Sequence, residues 1–122
     1  MKIIEGINRI DSLKHNTYNQ SDKVEWLSRL DSMVKKQIID THEGDEVTFT
    51  GYDDGTDLQT ELLIPAPYDE VYLRWMEAQI DYHNGEYDKY NNAIEMFNTA
   101  YEGYQNYYNR TRMPKGKKFK FF

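Results

Sequence analysis

Between Pro67 and Tyr108 apolar residues return every three or four positions, with a single break at Asn84-Gly85. Val71, Trp75, Ala78 and Tyr82 mark one stripe; Tyr87, Tyr90, Ile94, Phe97, Tyr101, Tyr104 and Tyr108 mark the next. This is the period of a helix with one buried face. A joint as short as Asn-Gly leaves two helices no arrangement but antiparallel neighbours, so an αα-hairpin of two longer helices is expected. Pro67 is expected at the first helical position, where its missing N–H is harmless, with Asp69 and Glu70 in the first turn.

Two shorter helices precede the hairpin. Ile3, Ile7 and Ile10 predict a helix over residues 3–14, and Leu27, Leu30, Val34 and Ile38 predict a second over Asp22 to Asp40, with Ser21 as its N-cap. From Thr41 to Ile64 the pattern lapses into glycines and acids. VTFT (47–50) and ELLIP (61–65) leave room there for a small β-hairpin. The expected fold is mainly α: a small four-helix bundle with a long acidic loop, in one domain over residues 1–114, followed by an extended C-terminal arm over 115–122. A chain of 122 residues can bury a core without staples. It has no cysteine, so disulfides and thiolate metal sites are excluded. No apolar run has the length of a membrane span, and MKIIEGINRI lacks the pattern of a secretory signal; the expectation is a soluble protein with no membrane partner.

Charge divides the chain sharply. The net charge is −6, yet RTRMPKGKKFKFF (110–122) holds six of the 15 basic residues and no acid. The rest therefore carries nine bases against 21 acids, a balance of −12. No Lys or Arg occurs from Gln37 to Leu73, where Asp45, Glu46, Asp53, Asp54 and Asp57 lie. Opposite signs on tail and loop can meet, within one chain or between copies. Arg110, Arg112, Lys115, Lys117, Lys118, Phe119, Lys120, Phe121 and Phe122 are accordingly candidates for contact with a neighbouring subunit or another protein. The acidic loop residues are candidates for the surface that receives them or that lines a channel. In KKFKFF, Lys and Phe alternate with the period of a strand, as in segments that add to a sheet edge.

Catalytic chemistry finds little support. No glycine-rich phosphate loop, nucleophile motif or zinc signature is present. His42 lies near Asp40, Glu43, Asp45 and Glu46, but no second histidine stands at ligand spacing. Aligning Gly55 with the glycine of a calcium loop puts Thr50 and Tyr52 at the first and third ligand positions, which rejects an EF-hand. No catalytic residue, metal or cofactor is expected. Seven of the eleven tyrosines fall between Tyr82 and Tyr108. Bases could stack on them, but Lys89 is the one basic residue in that stretch, so nucleic acid would be repelled. Core packing and a subunit interface through Tyr101, Tyr104, Tyr107 and Tyr108 are expected instead.

The segments DKVEWLSRLDSMVKKQIIDTHEG (22–44) and TELLIPAPYDEVYLRWMEAQIDYHNGEYDKYNNAIEMFNTAYEGYQNYYNRTRMP (60–114), with APYDE, NGEY and YYNRT as their most distinctive parts, resemble the head–tail connector (adaptor) proteins of tailed bacteriophages and prophages. The resemblance implies a structural virion protein. It would form a homo-oligomeric ring, a dodecamer, beneath the portal at the neck, after synthesis in the bacterial host cytoplasm. Its partners would be the portal protein and the next connector or tail protein, with genomic DNA passing through without sequence-specific binding. It assigns no contact to single residues. An acidic body suits a channel that lets DNA slide. The rival expectation is a small DNA-binding module of a mobile element that uses the basic tail.

Overall fold

The computed structural model describes residues 1–44 and 46–115. Four α-helices follow one another along the chain: α1 (Ile3–Leu13), α2 (Gln20–Val34), α3 (Glu70–His83) and α4 (Tyr87–Thr111). A single π-helical turn, Lys35–Ile39, prolongs α2, its wide ring closed by the Asp40 amide donating to Lys35 O at 2.8 Å. The fold is mainly α, a small helical bundle. The described residues contain no sheet, only the isolated bridges Lys2–Glu61 and His42–Pro114.

α3 and α4 form the antiparallel hairpin and the most extensive pairing in the molecule. Gly85 makes the reversal with φ +76°, a conformation open to glycine at no steric cost. α2 starts beside the hairpin's tip, where Trp26 stacks on His83, and ends beside the last turns of α4, where His42 meets Asn109. The core contains the predicted stripe of α2, with Leu27, Leu30, Val34 and Ile38 all essentially inaccessible, together with Ile3, Ile7 and Ile10 of α1. Tyr72 and Met76 from α3 and Phe97, Tyr101, Tyr104 and Tyr108 from α4 complete it.

Several local expectations differ from the structure. The cap of α2 is Asn19, whose side chain accepts from the Asp22 amide at 2.8 Å; Ser21 lies inside the helix and donates to Asp54 Oδ1 at 2.7 Å. Pro67 precedes α3 in a turn with a cis Ala66–Pro67 bond, in which the Tyr68 amide donates to Pro65 O. At the hairpin tip the aromatic stripe outruns its partners, so Tyr82 and Tyr87 are 51% and 61% exposed. Among its described residues the loop from Thr41 to Asp69 makes no hairpin with itself. Its second half pairs with the start of the chain: Ile3 and Ile4 donate to Thr60 O and Leu58 O, and Leu62 donates to Met1 O.

That loop is held from within by one carboxylate. Asp31, on the apolar side of α2 and fully buried, accepts from Tyr72 Oη at 2.6 Å, from Tyr52 Oη in a short hydrogen bond, and from the Leu63 amide at 3.1 Å. Tyr72 Oη in turn accepts the Ile64 amide at 2.7 Å. An unpaired carboxylate at such depth would be very costly; three donors reduce that cost and tie two points of the loop to α2 and α3.

Candidate docking surface

The first turns of α2 carry two neighbouring depressions that share Glu25. One, of about 200 Å³, is lined by Tyr18, Asp22, Glu25, Trp26, Arg29 and His83. The other, of about 210 Å³, is lined by Ser21, Val24, Glu25, Tyr52, Asp53 and Asp54. Three rings make the aromatic wall of the first. Trp26 and His83 are stacked at 5.7 Å with their planes 9° apart, and Tyr18 stands edge-on to Trp26 at 5.5 Å. Their positions follow from local folding: Trp75 Nε1 donates to Trp26 O at 2.8 Å, and Tyr18 Oη donates to Asn84 Oδ1 at 2.7 Å, which fastens the approach to α2 onto the hairpin tip. The ring series continues outward from His83 to Tyr82 at 5.4 Å, and from Tyr82 to Tyr90 and Tyr87 at 5.4 and 6.1 Å.

The acids at this face come from two elements. Asp22 and Glu25 belong to α2, while Asp53 and Asp54 are brought to it by the loop. Gly51, at φ +101°, turns the chain beside Ser28, whose Oγ accepts the Tyr52 amide at 2.9 Å. Asp53 folds its own turn by accepting from the Gly55 amide and from Thr56 Oγ1. Arg29 pairs with Glu25 at 2.8 Å on an exposed helix face. Four carboxylates against one guanidinium leave the face acidic. Asp53 and Asp54 are thus gathered into one surface, whereas Asp57 turns its carboxylate onto the Gln59 amide, where the loop pairs with α1. Glu46 is exposed, and Asp45 lies outside the described residues.

The basic segment leaves from the other end of α2. Arg110 is exposed on the last turn of α4, and the Arg112 guanidinium lies 4.1 Å from the centre of the Tyr108 ring. The next residues are fixed by backbone pairing: Glu43 donates to Met113 O and Lys115 to Thr41 O, each at 2.7 Å. His42, 6% exposed, braces this exit, with Nδ1 2.6 Å from Ile38 O and Nε2 2.7 Å from Asn109 Oδ1. Both ring nitrogens therefore serve the fold. Lys117, Lys118, Phe119, Lys120, Phe121 and Phe122 lie outside the described residues.

Of the four tyrosines expected at a subunit interface, Tyr101, Tyr104 and Tyr108 are 8%, 2% and 2% exposed and pack inside the subunit. Tyr107 is half-buried and stacks on Tyr68 at 4.8 Å. The bundle uses Tyr101, Tyr104 and Tyr108 as core, and of the four only Tyr107 keeps a substantial part of its ring at the surface. Tyr82 and Tyr87 continue the periodic stripes of the two helices, and their position past the last packed turn exposes them at the tip.

Among the described residues no group of three or more His, Asp or Glu side chains converges on a point that could hold a metal ion. No described helix is long and apolar enough to cross a membrane. No protein-family model, curated protein or solved structure matches the chain.

Proposed function

We propose that this chain is a structural subunit of a tailed-phage neck, a head–tail connector (adaptor) that forms a homo-oligomeric ring beneath the portal and catalyses no reaction. The observation that carries the reading is the placement of unlike surfaces at opposite ends of α2. The acidic aromatic face lies at its start, and the root of the basic segment lies at its end. A subunit with two complementary surfaces pointing apart joins head to tail, and such contacts close into a ring when the rotation between neighbours divides a full turn. An acidic body is also suited to a channel through which DNA phosphates slide without adhering. The buried polar side chains among the described residues all have partners within the fold: Asp31 holds the loop, His42 the chain exit, Lys23 donates to Asp11 and to Tyr18 O, and Asp81 pairs with Lys14 at 2.6 Å.

Mixing the purified protein with portal protein and imaging the particles tests this reading. The expected result is a ring seated on the portal, lost when residues 116–122 are deleted. An absence of ring and portal density at all concentrations overturns it. Binding of the full chain to duplex DNA, falling steeply with salt and lost on the same deletion, would replace it with the DNA-binding module.

A further inference from the structure

We infer that the cleft of Tyr18, Trp26 and His83, rimmed by Asp22 and Glu25, is the docking site for the basic aromatic segment Lys117–Phe121 of a second copy of this chain. The inference rests on the subunit-assembly reading above and names the surface that receives the arm. The two sides match in chemistry. The segment alternates Lys118 and Lys120 with Phe119 and Phe121, so an extended backbone sends rings to one side and ammonium groups to the other. The cleft offers the exposed His83 ring, backed by the buried Trp26 on which it stacks, with the half-buried Tyr18 beside them; Asp22 and Glu25 outnumber Arg29 at its rim, and Asp53 and Asp54 continue the acidic side across Glu25. Aromatic walls suit both partners, since Phe rings pack edge-to-face on them and ammonium groups are attracted to their faces.

Reach assigns the segment to a second copy. The Lys115 amide is anchored on Thr41 O. Trp26 lies fifteen residues earlier along α2 and its π turn, about 22 Å up the helical path. Four residues beyond Lys115, Phe119 can extend at most about 14 Å from that anchor. Phe121, six residues on, spans about 21 Å only when fully stretched. The segment as a whole therefore cannot lie in the cleft of its own subunit, whereas the cleft of a second copy can receive all of it.

Zero-length carbodiimide cross-linking of equal parts light and isotopically heavy full-length protein tests the assignment. The expected products are mixed light–heavy links from Lys117, Lys118 or Lys120 to Asp22, Glu25, Asp53 or Asp54. Links confined to one isotope, links to other carboxylates, or no links overturn it. Replacing the exposed ring in His83→Ala, with Glu25→Lys, should weaken self-association in sedimentation velocity by about tenfold or more while the helical spectrum is unchanged. Unchanged association in this variant also overturns it. The two readings fail separately: rings on the portal with cross-links elsewhere remove the cleft and keep the adaptor, while the expected cross-links without ring or portal binding keep the cleft and remove the adaptor.

Discussion

Tyr72 donates its hydroxyl hydrogen to Asp31 across 2.6 Å, and both groups are buried. The pair lies where α2, α3 and the long loop meet, so the loop's position depends on a carboxylate inside the core. Replacing Asp31 by Asn exchanges a charged acceptor of three hydrogen bonds for an amide that must place donors among donors. A loss of about 2–4 kcal/mol is expected in denaturant unfolding. Protease cleavage between residues 46 and 60 should then precede cleavage in the helices.

The same carboxyl gives stability a pH dependence of unusual sign. Burial lifts Asp31 above the ordinary value of 3.8, against the opposing pull of Tyr52, Tyr72 and the Leu63 amide. Above 3.8 the unfolded chain releases this proton while the folded chain still holds it. The folded state then binds more protons, so this contribution to stability falls as pH rises from 3.8 through the lifted value and is level beyond it. Subtracting the pH profile of the Asp31→Asn variant from that of the parent should isolate this slope. A difference profile that rises with pH contradicts it.

At alkaline pH the buried phenols act in the same direction. Burial, aided by the charge of Asp31, pushes Tyr101 up to about 12, and Tyr52 and Tyr72 are raised further for the same reasons. Unfolded tyrosines ionise near 10.0. Stability should therefore decline from pH 10 upward, and an ultraviolet titration should show these phenolates appearing only as the protein unfolds.

Gly51 permits the turn that delivers Tyr52 to Asp31. At φ +101° an added Cβ would be strained by its backbone alone and would also lie 3.3 Å from Ser28 Oγ. Gly51→Ala should cost about 1–2 kcal/mol. Faster hydrogen exchange of the Tyr52 amide would locate the damage.

His42 braces the exit of the basic segment. His42→Phe retains a ring beside Tyr108, 4.9 Å away in the parent, but removes the contacts of the ring nitrogens with Ile38 O, Thr41 Oγ1 and Asn109 Oδ1. A loss of about 1–3 kcal/mol is expected. The amides of Glu43 and Lys115 should exchange faster while those of α1 are unchanged.

The helices were legible because each has a packed stripe at the period of 3.6. Leu27, Leu30, Val34 and Ile38 were placed correctly because every one faces the core. Asp31 was not recognised, since an acid in an amphipathic helix usually faces water. The available signal was its angular position: four residues after Leu27 and three before Val34, it falls on the apolar side. The route of the loop could not be read locally, because residues 58–62 pair with the first residues of the chain, and periodicity carries no information about such distant closure. The acidic aromatic face was hidden for the same reason. Tyr18, Trp26, Asp54 and His83 come from four separate stretches, and no spacing rule connects them.

The π turn at Lys35–Ile39 accommodates one residue more than an ordinary turn holds. Were the same residues wound as a plain α-helix, everything after them would rotate by about 100°. His42 would then swing away from Asn109, and the strip from Thr41 to Glu43 would no longer face Met113 and Lys115. One widened turn thus acts as the rudder that aims this strip at the end of α4.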